Sequence, residues 1–151
     1  MTARVIFVAG LPGSGKTPYL ESLRVDGWRV FDDFQADAKL NSPAFRNSRN
    51  YDDLLSALRS GQRCVVADMR FCIAAYRGQA EALLRREVPD AQVELQFFAN
   101  DPQQCEANIR GNAERHPGRR LEKLNEYASA YTIPVGSAAM HVWKPDDRTK
   151  G

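Results

Sequence analysis

The sequence predicts an α/β fold in which helices cover a parallel sheet. Short apolar runs, typical of buried strands, alternate with segments of helical periodicity along the 151 residues. A glycine-rich stretch at residues 10–17 lies directly between the first apolar run and the first helical segment. A chain of this length usually forms one domain, so we expect residues 1–151 to fold as a single domain.

The first half of the chain predicts three strands and two helices. The run at 64–67 is apolar throughout, as in strands that are buried on both faces. The helical segments place apolar residues three and four apart and end near glycine. Residues 34–49 are polar and interrupted by proline, which indicates a loop or short helices. The predicted elements are strand 5–9, helix 15–24, strand 28–31, helix 51–58 and strand 63–67.

The second half continues the alternation. Asp101, Pro102 and Gln104 form a helix start with an acidic cap, a proline at the first position and a capping box. An arginine-rich polar stretch separates this helix from the next one. The predicted elements are helix 73–87, strand 92–99, a helix from 101, helix 121–131 and a last strand at 140–143.

Residues 10–17 read Gly-Leu-Pro-Gly-Ser-Gly-Lys-Thr and match G-x-x-x-x-G-K-[ST], a loop that binds nucleotide phosphates. Glycine allows positive φ and lets backbone N–H groups approach anionic oxygens without an intervening Cβ. The dipole of the following helix adds to this attraction. We expect Lys16 to contact the β and γ phosphates and Thr17 to bind Mg²⁺. The predicted nucleotide-binding residues are Gly10, Gly13, Ser14, Gly15, Lys16 and Thr17.

Pro18 departs from the usual form of this loop. It has no N–H, whereas the amide at this position normally helps to hold the α phosphate. Proline is tolerated in a first helical turn, so we expect the fold to persist with weaker nucleotide affinity. The alternative interpretation of the whole stretch is a flexible glycine turn that carries a surface lysine.

Acidic residues follow two of the predicted strands. Ligands of open parallel sheets bind beyond the carboxyl ends of the strands, so Asp32 and Asp33 face the same crevice as the glycine loop. Both are candidate general bases for an attacking hydroxyl, with Asp33 preferred; the alternative is a helix cap. Asp68 is a candidate Mg²⁺ ligand or a turn residue. Arg70 is expected to point into the crevice and contact substrate.

The arginine-rich stretch predicts a lid at about 111–120. Phosphoryl transfer spreads negative charge over the equatorial oxygens, and arginine on a mobile segment neutralises that charge. Gly111 and Gly118 flank the stretch like hinges. The alternative is a solvated basic loop. The arginines are Arg110, Arg115, Arg119 and Arg120, of which Arg110 and Arg115 are the catalytic candidates.

Composition excludes several functional classes. A hydrophobic content of 43% and a net charge of +2 are typical of globular proteins and argue against a protein that coats nucleic acid. The chain enters its first strand without a charged leader, and no apolar run approaches the length of about 18 residues that a membrane span needs. We therefore expect a cytoplasmic protein without membrane contact. The three cysteines are isolated and are expected to be free buried thiols.

These motifs together resemble the small P-loop kinases, a group that includes polynucleotide kinase, gluconate and shikimate kinases and zeta-toxin relatives, often labelled AAA-type ATP-binding proteins. The matching features are GLPGSGKT, the acidic end of the second strand, Val-Val-Ala-Asp-x-Arg at 65–70, and Asp-Pro at 101–102 followed by Asn-x-Arg at 108–110 and the arginine-rich stretch. The resemblance covers most of the chain and is most specific at the P-loop. It implies a five-stranded parallel sheet in the order 2-3-1-4-5 with an Arg-rich lid, and ATP and Mg²⁺ as cofactors.

The resemblance also implies residue roles. Asp33 or Asp32 matches the acid that activates the acceptor, and Asp68 matches the acid that ends strand 3. Arg110 and Arg115 match the arginines of the lid. Polynucleotide kinases carry an arginine shortly after the strand 2 acid, whereas this sequence continues with residues 34–36, Phe-Gln-Ala. An identical acceptor site is therefore not implied.

The sequence thus supports an ATP- and Mg²⁺-dependent phosphotransferase acting on a hydroxyl of a small molecule or nucleotide. A nucleic-acid end is a less favoured acceptor. The alternatives are an ATP hydrolase or switch, and a non-catalytic nucleotide-binding module for which Pro18 is the suggestive feature. Neither the acceptor nor the oligomeric state follows from the sequence, because the residues that select an acceptor fall in the weakly patterned stretches.

Overall fold

A computed structural model describes residues 3–32, 45–111 and 117–145. Five strands form one parallel sheet in the order β2-β3-β1-β4-β5. The predicted α/β class and strand order are therefore confirmed. Strand β1 lies at the centre and pairs with both β3 and β4, which brings the residues that follow it to the middle of the carboxyl edge.

The elements of the first half agree closely with the prediction. Strand β1 is followed by helix α1, which begins at the lysine of the glycine-rich motif. The predicted helix at 51–58 forms as α2 and extends to Arg59. A 3-10 turn at Phe45–Asn47 precedes it. The bounds are β1 Arg4–Ala9, α1 Lys16–Val25, β2 Arg29–Phe31, α2 Tyr51–Arg59 and β3 Arg63–Ala67.

The second half differs from the prediction at two places. Helix α5 begins at Gly118 instead of residue 121, because Pro117 acts as the residue preceding the helix and its carbonyl accepts from the Leu121 amide. The last strand covers Ala139–Met140 instead of 140–143. The bounds are a 3-10 turn Met69–Cys72, α3 Ala74–Glu87, β4 Gln92–Phe98, α4 Pro102–Gly111, α5 Gly118–Ala130 and β5 Ala139–Met140.

Alternating residues of the sheet enter two separate cores. Val5 and Phe7 of β1 pack into the larger core with α2, α3, α4 and α5. Ile6 and Val8 enter a smaller core against Leu20 of α1. Because successive side chains of a strand point to opposite faces, α1 lies on one face of the sheet and the other four helices lie on the opposite face.

No helix within the described ranges combines the length and apolar character needed to cross a membrane. The three cysteines are all buried and free, as predicted. Burial raises the pKa of the Cys72 thiol to about 11, so this group is protonated at neutral pH.

Candidate active site

The glycine-rich loop connects the end of β1 to the start of α1. Gly13 and Gly15 have φ angles of 82° and 97°, the left-handed region that favours glycine. The Ser14 amide donates to the Leu11 carbonyl at 3.0 Å, which closes a turn inside the loop. The motif therefore has the strand, turn and helix context that its sequence requires.

Lys16 is half-buried, with its ammonium group folded back over the loop. Its Nζ donates to the Gly10 carbonyl and, at 3.1 Å, to the Leu11 carbonyl. Desolvation by burial lowers the pKa of Lys16 below its ordinary value. Among the charges that act on it, Asp32 raises this pKa and Arg120 lowers it, so both residues lie within electrostatic range of the loop.

Ser14 supplies an unusual polar group. Its side chain is 1% exposed, and its Oγ has no hydrogen-bond partner within the described part of the chain. A buried hydroxyl without a partner costs free energy, and such a group is commonly satisfied by a ligand. The hydroxyl and the adjacent lysine fit a group with anionic oxygens, as a nucleotide phosphate is.

The glycines are also required by packing behind the loop. A Cβ at Gly13 would lie 2.6 Å from the Cys105 carbonyl oxygen of α4. A Cβ at Gly15 would overlap the Cβ of Trp143, which follows β5. The sequence explained these glycines by the approach of phosphate, but here the crowding comes from the protein's own backbone and side chains on the outer side of the loop.

A second cluster lies at the carboxyl end of β3. Asp68 and Arg70 form a buried ion pair in which Arg70 Nη2 lies 2.8 Å from Asp68 Oδ2 and Arg70 Nε lies 3.0 Å from Oδ1. The Arg70 amide also donates to Asp68 Oδ1 at 2.9 Å, and the Tyr76 hydroxyl donates to Oδ2 at 2.8 Å. Arg70 Nη2 donates in addition to Ser48 Oγ at 3.0 Å.

The electrostatics of this cluster follow from its burial. Burial opposes the charge of Arg70, but the hydrogen bonds and charge of Asp68 outweigh it and raise the pKa of Arg70. Desolvation and the neighbouring carboxylate raise the pKa of Tyr76, which holds its proton for donation. Four donor atoms of these two residues, Arg70 N, Nε and Nη2 and Tyr76 Oη, donate to the Asp68 carboxylate, and Nε contacts both of its oxygens. A cation at Asp68 would have to displace part of this set.

The other predicted site residues differ in their distance from the glycine-rich loop and in their contacts. Asp32 is exposed directly after β2 and lies within electrostatic range of Lys16. Arg110 donates to Glu106 on its own helix at 3.1 Å. Thr17 is exposed in the first turn of α1. Asp33 and Arg115 lie outside the described residues.

Three residues of this region were not predicted from the sequence as site residues. The Asn108 side chain contacts the P-loop from α4, the backbone of Trp143 contacts it from the segment after β5, and Tyr76 completes the Asp68 cluster. The sequence carries a weak signal for Asn108, which is a polar residue directly beside the buried Ile109 of α4. Tyr76 and Trp143 look like ordinary core or strand residues in the sequence.

The comparisons with known proteins establish the architecture. The chain is similar in structure to a gluconokinase from Sinorhizobium meliloti 1021, with a TM-score of 0.59, 19% identity, and coverage of 95% of this chain and 85% of that one. It is also similar to part of the Pnkp1/Rnl/Hen1 RNA repair complex, with a TM-score of 0.51, 13% identity, and coverage of 88% of this chain and 48% of that one. The fold is that of the P-loop kinases.

Two further comparisons extend this result. The protein APE1195 matches with a TM-score of 0.52 and 18% identity over 96% of this chain and 87% of its own. In sequence, the chain is 26% identical over 139 residues to uncharacterized protein R277 of Acanthamoeba polyphaga mimivirus, covering 91% of this chain and 92% of that protein. No protein-family model matches the sequence. These similarities concern the fold, and the chemistry has to be argued from the site.

Proposed function

We propose that this protein is an ATP- and Mg²⁺-dependent phosphotransferase that moves the γ-phosphate to a hydroxyl of a small molecule or nucleotide. The observation that carries the proposal is the loop at 10–17. It holds a half-buried lysine and a buried serine hydroxyl that lacks a partner among the described residues, at the central carboxyl edge of a P-loop kinase fold. This combination suits an anionic polyphosphate.

The proposal assigns a role to each candidate residue. Lys16 would stabilise charge on the β and γ phosphate oxygens, with Gly10, Gly13, Ser14 and Gly15 forming the loop around them. Thr17 would hold Mg²⁺, which would neutralise charge on the phosphates. Asp68 would assist in placing the metal directly or through water, in exchange for part of its present contacts.

The acceptor side of the proposal rests on the end of β2. Asp32 or Asp33 would take the proton of the attacking hydroxyl, because carboxylates at this edge face the phosphate loop. Arg70 would contact the acceptor from the end of β3 while it keeps its pairing with Asp68. Arg110, Arg115 and the rest of the 111–120 stretch would act as a lid over the phosphates, and the whole chain would form one domain.

One rival is favoured by specific observations. Pro18 removes an amide from the first turn of α1, and Asp68 already accepts several protein hydrogen bonds. The missing amide weakens nucleotide binding, whereas an Asp68 that is occupied by protein donors is less available to place Mg²⁺, which weakens catalysis. The rival is therefore a nucleotide-binding module without phosphoryl transfer, or a slow ATP hydrolase. The buried free thiols support a reducing cytoplasmic setting for either function.

The decisive experiment incubates the protein with γ-labelled ATP, Mg²⁺ and pools of hydroxyl-bearing metabolites and nucleosides. We expect label in an acceptor, and we expect Lys16→Ala to reduce the transfer about a thousandfold because it removes the cation nearest the phosphates. Lys123→Ala is the matched control, since Lys123 lies on the surface of α5 and contacts Glu126.

The outcomes separate the candidates. Label found only in free phosphate supports the hydrolase. Tight ATP binding without turnover of any acceptor supports the binding module. Transfer by Lys16→Ala at the wild-type rate, with the variant folded, would remove Lys16 from the mechanism and overturn the proposal.

A further inference from the structure

The outer surface of the P-loop is held by residues that lie outside the 10–17 motif. Asn108 Nδ2 donates to the Gly13 carbonyl at 2.9 Å and to the Trp143 carbonyl at 2.6 Å. The Trp143 amide in turn donates to the Ser14 carbonyl at 3.0 Å. Two consecutive carbonyls of the loop are therefore bound from behind, one by a helix α4 side chain and one by the chain after β5.

These contacts determine where the loop amides point. In a trans peptide the C=O bond and the N–H bond of the next residue lie in one plane and point in opposite directions, and none of the described peptides is cis. When Trp143 holds the Ser14 carbonyl outward, the Gly15 N–H is directed to the inner side of the loop. When Asn108 holds the Gly13 carbonyl outward, the Ser14 N–H is directed toward its acceptor, the Leu11 carbonyl.

The Asn108 side chain is held in one orientation, and the loop packs tightly against the residues behind it. Gln104 Nε2 donates to Asn108 Oδ1 at 2.9 Å, which fixes the amide so that its NH₂ group faces the loop. Gln104 lies one helical turn before Asn108 on α4. A Cβ at Gly15 would overlap Trp143 and a Cβ at Gly13 would approach the Cys105 carbonyl, so the loop has no room to move outward.

We propose that Asn108 and the backbone of Trp143 form a strap that holds the P-loop in its anion-binding shape, making Asn108 a positioning residue for nucleotide binding. The role of the strap in nucleotide binding rests on the proposed function, whereas its contacts with the loop do not. It explains why β5 ends at Met140: the chain leaves the sheet so that the Trp143 amide reaches the loop instead of a neighbouring strand.

The test compares Asn108→Leu and Asn108→Ala with the wild type in the full chain. Amide hydrogen exchange without ligand should become faster in peptides that cover 10–17 and stay unchanged in α2 and α3. Binding of inorganic pyrophosphate and of MgATP, followed by calorimetry, should weaken about tenfold, since the hydrogen bond to the Gly13 carbonyl and the one that anchors Trp143 are both lost. The KM for ATP should rise while kcat at saturation changes less than about threefold.

Asn100→Ala is the matched control. Asn100 also donates through Nδ2 to a backbone carbonyl, that of Ala128 at 3.3 Å, but it does not contact the loop. This variant should show wild-type exchange at 10–17 and wild-type affinities. Gln104→Ala retains Asn108 and removes only its orienting contact, so it should weaken pyrophosphate binding about threefold and serves if the Asn108 variants do not fold.

The outcomes distinguish the strap from the function. Wild-type exchange and wild-type affinities in folded Asn108→Leu would overturn the strap, and so would faster exchange spread over the whole protein. If the wild type binds neither pyrophosphate nor MgATP, the proposed function fails, and the exchange measurement still decides whether the strap holds the loop.

Discussion

Two cationic side chains lie at the carboxyl edge of the sheet, and their partners differ in kind. Lys16 donates to the neutral carbonyls of Gly10 and Leu11, and burial lowers its pKa. Arg70 donates to the carboxylate of Asp68 with both Nε and Nη2, and that partner raises its pKa. Within the described ranges, the charge of Lys16 is held in place without a carboxylate partner, whereas the charge of Arg70 is neutralised inside the protein.

The two kinds of partner suggest different roles for the two cations, one in ligand binding and one in stability. A cation held by carbonyls can exchange them for phosphate oxygens at small cost, because neutral acceptors are replaced by charged ones. A cation held by a buried carboxylate cannot leave without exposing an uncompensated charge. Lys16 is therefore expected to serve binding and to contribute little to stability, and the Asp68 cluster is expected to anchor the fold and to open only for a strong competing ligand.

The largest expected effect is the loss of the anchor. Arg70→Met leaves Asp68 buried without its cation, and we expect the free energy of unfolding to fall by about 3 kcal/mol in urea titrations. Lys16→Met should change it by less than about 1 kcal/mol, because the lysine is held by neutral groups. The comparison fails if both variants unfold at the same urea concentration as the wild type.

A double variant provides the control for this prediction. Asp68→Asn combined with Arg70→Met removes both charges, so no uncompensated carboxylate remains. We expect it to recover about half of the lost stability. If the double variant is less stable than Arg70→Met alone, Asp68 stabilises the fold through its contacts with Tyr76 and the backbone more than through the ion pair.

The next largest effect concerns the packing of the loop. Gly15→Ala places a Cβ at a positive φ and against the Trp143 side chain, so we expect a loss of about 2 kcal/mol in the free energy of unfolding. Gly136→Ala is the control, because Gly136 has φ of 87° with open space around it and should cost about 1 kcal/mol. Chemical denaturation of both variants measures the difference.

Removal of the colliding atom tests the cause. Trp143→Gly in the Gly15→Ala background abolishes the overlap, while the Trp143 backbone positions remain available for hydrogen bonding. The coupling between the two substitutions should be favourable by about 1 kcal/mol in a double-mutant cycle. Additive effects would show that the two positions do not collide in solution.

The sequence predicted the sheet because its signals are local. Apolar runs mark the strands, and the loop at 10–17 has fixed spacing, so the central strand and α1 were located correctly. The start of α5 was misplaced because Pro117 and Gly118 look like helix breakers, although proline is tolerated at a helix start. The end of β5 was misplaced because the acceptor of the Trp143 amide is 129 positions earlier in the chain, at Ser14.

The candidate site could be predicted from the sequence only where its residues belong to a short motif. Lys16 and Ser14 follow from the loop pattern, and Asp68 follows from its place after a buried strand. The engagement of Asp68 by Arg70 and Tyr76 depends on a 3-10 turn and on the direction of α3, which no short pattern encodes. Asn108 was missed as a site residue for the same reason, since its partners lie in two distant segments.

A smaller effect tests how completely Asp68 is satisfied. Tyr76→Phe removes the hydroxyl that donates to Asp68 Oδ2 and leaves the ring that packs against Phe71 and the Arg70 guanidinium. We expect a loss of about 1.5 kcal/mol in the free energy of unfolding, as for a hydrogen bond to a charged group. Tyr51→Phe makes the same substitution at the first residue of α2 and controls for the general effect of removing a phenol hydroxyl.

Tyr76→Phe also tests whether Asp68 binds Mg²⁺. If Asp68 exchanges protein partners for Mg²⁺, removal of one donor should make that exchange easier, and Tyr76→Phe should gain more stability from MgATP than the wild type gains. Thermal unfolding with and without MgATP measures the two gains. An equal gain in both proteins would indicate that Asp68 keeps its contacts when nucleotide binds.

The smallest effect is the pH dependence that Lys16 contributes. Because burial lowers its pKa in the folded state, the native protein releases this proton before the unfolded chain does. Between the lowered pKa and the ordinary value near 10.5, the unfolded state binds more protons, so stability rises with pH. Lys16→Met lacks this contribution, and we expect the wild type to gain stability relative to the variant as pH rises through that window.

Nucleotide binding should reverse this behaviour, because phosphate oxygens favour the charged form of Lys16 and raise its pKa. In the same pH window, MgATP binding should take up a proton, and its affinity should fall as pH rises. Calorimetry in buffers of different ionisation enthalpy measures that uptake. If the wild type binds MgATP with no proton uptake, as expected for Lys16→Met, then Lys16 does not exchange its carbonyl partners for phosphate. Lys16 would then differ from Arg70 in its partners but not in a binding function.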